Sequence, residues 1–171
     1  SGNTGGSLGP HLHFEIRDTK EETPLNPLQL GFEIPDSIRP IVQELYRYKK
    51  DINGLSAKTQ IPLERVNDSV YQADILRLGG THAFGIRLFD RQDLSYNRNG
   101  IYKATVKVNG SKMFSYTFDK IDFRDGKKID ALIDYISYHE ERIRVQKLFR
   151  DLDVDYSFLP KTAPNGFIEF T

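Results

Sequence analysis

The sequence has no cysteine and no tryptophan, a single methionine, and no excess of either charge: 24 basic residues stand against 24 acidic ones in 171. Without cysteine there is neither a disulfide framework nor a thiolate metal site, so any zinc must be held by His, Asp or Glu. The balanced charge lacks the basic excess or stripe on which nucleic-acid binding rests. The short basic stretches at residues 126–128 and 142–150 alternate with acids and read as solvated helix faces. No apolar run approaches the ~20 residues needed to cross a bilayer. No basic-then-apolar leader opens the chain either. It opens on Gly, Ser, Thr and Asn, a turn composition that reads as a loop entered part-way, so Ser1 is not expected to be a natural start.

What is present is mostly strand signal. Residues 41–48 and 70–76 read as strands, and residues 81–89 alternate with His82, Phe84, Ile86 and Leu88 on one side. Residues 101–108 and 112–118 flank Asn109-Gly110, a strong hairpin signal because both positions tolerate positive φ. Tyr102, Ala104, Val106 and Val108 would face the core on its first arm. The period then changes. Asp125 is a plausible N-cap, Ile129, Leu132, Ile133, Ile136 and Ile143 recur at helical spacing, and residues 145–149 suit a second helical piece. Residues 167–170 close the chain as a strand. The fold class is therefore mainly β: a β-sandwich with a helical insertion at about residues 126–150.

The first thirty or so residues stand apart. Alternation in "HLHFEIR" puts His11, His13, Glu15 and Arg17 on one face of a strand and Leu12, Phe14 and Ile16 on the other. A charged, Pro-punctuated connector follows, and a boundary near residues 32–36 divides the chain into 1–34 and 35–171. The first piece is too short to bury a core alone. Strand residues i and i+2 share a face, so His11 and His13 can reach one site together. Neutral imidazole is a natural zinc ligand, and a catalytic zinc takes three protein ligands and leaves one position for water. A second imidazole beside a ligand can move a proton or stabilise an oxyanion. On spacing alone, an exposed His-x-His pair is ordinary polar surface.

The flanking residues add to this. "TGGSLGPHLHFEIR", residues 4–17, resembles the His-x-His motif T-G-x-S-x-G-P-H-x-H-F-E of lysostaphin-type (LytM-type) zinc metallopeptidases, and every fixed position is matched. "NPL", residues 26–28, is similar to the close of that family's domain. The resemblance covers about the first 30 residues. It implies the C-terminal end of an antiparallel-sheet peptidase domain that cuts peptide stems or cross-bridges of bacterial peptidoglycan. It further implies zinc as cofactor, a location in the cell envelope (periplasmic or extracytoplasmic), His13 as a metal ligand and His11 as the histidine that assists catalysis. Glu15 is a weak candidate for orienting an imidazole. The family takes its other two zinc ligands from an upstream His-x-x-x-Asp motif, together with a further catalytic histidine. No such motif occurs in these residues, so the isolated chain is expected to be inactive. Residues 35–171 resemble, more loosely, the immunoglobulin-like domains that follow the peptidase domain in some envelope proteins of Bacteroidetes-type bacteria. The alternative is a non-catalytic envelope binding or scaffolding module with a relic His-x-His strand, which would give the chain another envelope protein as partner.

The other chemistry-bearing residues have plainer readings. His82 sits among apolar neighbours and suits a hydrogen-bonded core histidine, and His139 suits a helix C-terminus. Asp90 and Asp93 lack the regular oxygen spacing of a calcium loop and read as a turn-rich connection. The Tyr and Phe residues fall mostly at strand core positions.

Overall fold

A computed structural model describes residues 9–10, 12–151, 154–159 and 161–171. In chain order its strands are β1 (Ile16–Arg17), β2 (Pro24–Leu25), β3 (Ile41–Asp51), β4 (Gly54–Ile61), β5 (Leu63–Arg65), β6 (Tyr71–Ala73), β7 (Gly80–Phe89), β8 (Lys103–Val108), β9 (Ser111–Thr117), β10 (Gln146–Lys147) and β11 (Ile168–Phe170). Among the described residues the one α-helix, α1, is Tyr135–Glu141, and three short 3-10 turns cover Pro27–Leu30, Phe123–Asp125 and Ile129–Leu132. The chain is mainly β, and every ladder is antiparallel, as its alternating runs require.

The central sheet runs β4-β3-β7, and both β10 and β11 pair with the far edge of β7. β3 and β7 match from Ile41↔Phe89 to Lys49↔His82, with a bulge between Val42 and Glu44. β8 and β9 form a separate hairpin whose turn holds Asn109 and Gly110 at φ 48° and 83°, the twist-matched geometry that this dipeptide favours. Ala104, Val106 and Val108 lie on its more buried side, while Tyr102 is largely exposed.

Two aromatic-rich clusters make the core. Tyr46, Tyr48, Ala83, Val145 and Phe149 pack on the central sheet. Phe114, Tyr116, Leu132, Tyr156 and Leu159 pack beneath the β8–β9 hairpin. Residues 145–150 join them: Val145 and Phe149 enter the first cluster, and Leu148 packs on the second while its N–H donates to Phe84 O at 2.9 Å. Gly166 closes this junction. At φ 87° it donates to Met113 O, and a Cβ there would lie 2.4 Å from Leu148 O, so no other residue fits.

Several expectations are corrected. The strand foreseen over residues 11–17 is reduced to Ile16–Arg17; residues 12–15 form no ladder, and His11 lies outside the described residues. Residues 70–76 yield only Tyr71–Ala73. β4 was not foreseen because "GLSAKTQI" is polar and exposed along most of its length; its pairing with β3 specifies it rather than its own apolar pattern. The helix expected from Asp125 breaks in two places. Asp125 is buried and accepts from Ser157 N at 2.8 Å and Lys128 Nζ at 3.1 Å, and Ile133 turns extended to bridge Gln146. The helix then restarts with Asp134 as N-cap. Residues 145–149, expected to be helical, contain β10 instead: Val145 and Phe149, four apart, suit a helix face but equally suit alternate strand positions.

Asp134 anchors this segment. Its carboxylate accepts from Tyr48 Oη of β3 at 2.8 Å and Ser137 Oγ of α1 at 2.7 Å, while Lys58 of β4 lies 3.8 Å away and donates to the same serine. Burial pushes the Asp134 carboxyl up, but hydrogen bonds from Ser137 and Tyr48 and the charge of Lys58 outweigh it and hold the carboxyl below its ordinary value. A carboxyl lowered in the folded state stabilises above its unfolded pKa, about 3.9 for Asp, and loses that contribution as pH falls through the folded value. Asp134→Asn is expected to cost about 2–3 kcal/mol near neutral pH and to flatten the acid limb of stability against pH. Urea melts of both proteins from neutral pH to pH 3 check this; parallel curves would contradict it.

Candidate functional site

The only sequence stretch with a strong chemical signature is the one leading into β1, and the local structure begins from a reverse turn. After Arg17 the chain doubles back. Asp18 Oδ1 accepts from Lys20 N at 2.8 Å and Glu21 N at 2.9 Å, which holds its carboxyl below the ordinary value. Asp18 N donates to Thr23 O and Glu22 N to Asp18 O, both at 2.9 Å, with Glu22 at φ 52°. This turn lets Ile16 pair with Leu25 and Arg17 with Pro24. "NPL" then does what its composition favours: Asn26 Oδ1 caps Leu28 N at 3.1 Å, and Pro27 starts a short 3-10 turn that Gly31 ends in the left-handed region.

This unit is fastened to the chain after β9. Asn26 N donates to Asp119 O at 2.9 Å, Ile121 N donates to Pro24 O at 3.3 Å, and Leu25 bridges Lys120. Gln29 Nε2 donates to Tyr102 Oη at 2.6 Å, and both Gln29 and Tyr102 donate to the Asp119 carboxylate. The bond to Asp119 is the main reason the Tyr102 hydroxyl is raised above its ordinary pKa. Arg17 places its guanidinium 4.8 Å from the centroid of Phe123. The β1–β2 unit is therefore held against residues 119–123.

His13 is exposed, four residues before β2's partner strand ends. Glu15 is half-buried and engaged by the Arg17 side chain, which occupies the carboxylate proposed to orient an imidazole. Phe14 packs against Phe32, ring centroids 5.1 Å apart, though it remains mostly exposed. His82 is buried, with Nε2 3.1 Å from Gly79 O and an edge contact to Phe170, in keeping with the core reading. His139 stacks on Tyr135 in the last turn of α1. Asp93 accepts from Ser37 N and Oγ, and Asp90 from Arg91 N, in a turn-rich connection. Neither His82 nor His139 joins His13: among the described residues no three His, Asp or Glu side chains are grouped to hold a metal ion.

The fit to zinc is thus partial. His13 offers one exposed imidazole, where a catalytic zinc requires three protein ligands. What sequence reasoning missed is the anchor, because Gln29, Tyr102 and Asp119 are individually unremarkable polar residues brought together only by the fold. Asp119→Ala is expected to speed amide exchange at Asn26 and Ile121 roughly three- to tenfold by loosening that anchor. Hydrogen-exchange mass spectrometry or NMR reads the change, and unaltered protection of residues 16–29 would contradict it.

Among the described residues no helix is long and apolar enough to cross a membrane. No family model, curated protein or solved structure matches the chain.

Proposed function

We propose that the chain is the C-terminal portion of a cell-envelope zinc metalloendopeptidase acting on peptidoglycan peptide stems or cross-links, with residues 35–171 serving as an immunoglobulin-like accessory module. One observation carries the reading: the unbroken run of fixed positions in "TGGSLGPHLHFE", residues 4–15, which ordinary strand composition would not produce. The exposure of His13 supports it, since a ligand to a shared metal must be reachable from outside these residues.

In this reading His13 would hold zinc through an imidazole nitrogen, and the resemblance assigns His11 the role of assisting catalysis by contacting the attacked water or carbonyl oxygen. Zinc in such a site supplies Lewis acidity and a water acidified to near neutral pH. Glu15, held by Arg17, contributes to local packing rather than to proton transfer. The accessory module holds the segment in place through Asp119 and Phe123. The remaining zinc ligands belong to an upstream His-x-x-x-Asp segment of a longer protein, so the chain alone is inactive.

The test is cleavage of purified peptidoglycan by the complete protein, followed as newly released amino groups. His13→Ala is expected to lower the rate by at least about a hundredfold, the scale set by losing a metal ligand or its support. Cleavage that survives in this variant would refute the assignment. No cleavage by the complete protein would leave a non-catalytic envelope module.

A further inference from the structure

The return from α1 to β10 passes Arg142 and Arg144 across the end of β7, where Arg87 projects and the loop after β7 brings in Arg98. These four arginines line one cavity of about 220 Å³, walled on its apolar side by Leu88, Phe89 and Ile101. No lining residue is acidic. Glu44 pairs with Arg87 at 3.1 Å, but Arg98, Arg142 and Arg144 form no ion pair with any described residue. In a chain of zero formal net charge this concentration is not a consequence of composition. It also departs from the solvated helix face expected for residues 142–150, because α1 ends at Glu141 and the chain then runs to Gln146 and Lys147, which pair with β7.

Two of the guanidinium groups are held by rings: Arg98 lies 4.6 Å from the centroid of Phe89, and Arg144 lies 5.6 Å from that of Tyr138. Stacking fixes a guanidinium plane while leaving its edge N–H donors free, the arrangement that suits bidentate bonds to planar or tetrahedral oxyanions. Arginine keeps its charge at any physiological pH, so the cavity cannot relieve repulsion by losing protons. A ligand that neutralises it must bring the negative charge.

We propose that this cavity is a binding site for a small polyanion bearing two or more oxyanion groups, either carboxylates or phosphates. The assignment is independent of the peptidase reading, since it uses none of the histidine segment. Titration at constant ionic strength with pyrophosphate and, separately, tricarballylate tests it and distinguishes the two sources. At least one probe is expected to bind saturably, one per chain, with millimolar or tighter affinity. The double variant Arg98→Gln, Arg144→Gln should weaken binding at least about tenfold, as expected for loss of charged hydrogen bonds. The control Lys107→Gln, Lys112→Gln removes the same charge at the exposed turn end of the β8–β9 hairpin and should change it less than about twofold, the residue of screened long-range attraction. Should the arginine double variant fail to fold, Arg98→Gln alone, on a loop without regular structure, gives the same comparison. Absence of saturable binding by both probes overturns the proposal, as does equal weakening in the arginine and lysine variants.

Discussion

One buried carboxylate ties α1 to the central sheet. Asp134 caps α1 through Ser137, receives Tyr48 from the middle of β3, and lies close to Lys58 of β4, so the β3–β4 pair and the helix, distant in sequence from each other, meet on one side chain. Its own N–H donates to Val145 O, which fixes where the chain leaves the helix and returns to the sheet. An unpartnered carboxylate in that position would be strongly unfavourable, and removal of any one donor leaves part of the charge unsatisfied. The network therefore acts through specificity: it permits one placement of α1 and penalises others.

From that placement the rest follows by short steps. Val145 and Phe149 enter the first aromatic cluster, Leu148 reaches the second, and the glycine at 166 lets the C-terminal strand pass against the same stretch. Arg142 and Arg144 are carried to the end of β7 by the same return, so the arginine-lined cavity depends on the carboxylate lock rather than on local sequence. The segment that follows the histidine motif is attached elsewhere, through the Asp119 carboxylate and the Phe123 ring, by polar and cation–π contacts.

How much of this could be read in advance depended on whether each element carried its own signal. The β3 and β7 strands and the Asn109-Gly110 hairpin were legible because apolar alternation and turn chemistry are local properties. β4 was invisible: it is an outer strand whose polar side chains face water, and only pairing with β3 defines it. A helical insertion was expected over about residues 126–150, but the α-helix covers only Tyr135–Glu141, since Ile133 and Gln146 bridge each other where helical spacing claims that stretch for a helix. At the candidate site, His13 and Glu15 were identified by motif, whereas the restriction of the strand to Ile16–Arg17 and the pairing of Glu15 with Arg17 are seen only in the folded structure. The arginine cavity was hidden for a similar reason: its four members come from three separated stretches, and two of them resembled a solvated helix face.

We propose that His13 belongs to a zinc site completed by residues outside these 171. Elemental analysis of zinc, on chain purified without a histidine tag or chelator and on the longer protein carrying the upstream ligands, tests it directly. Far less than one zinc per chain is expected in the first sample and one in the second, the latter lost on His13→Ala. A full equivalent of zinc in the isolated chain, or a longer protein whose zinc is indifferent to His13, would contradict it.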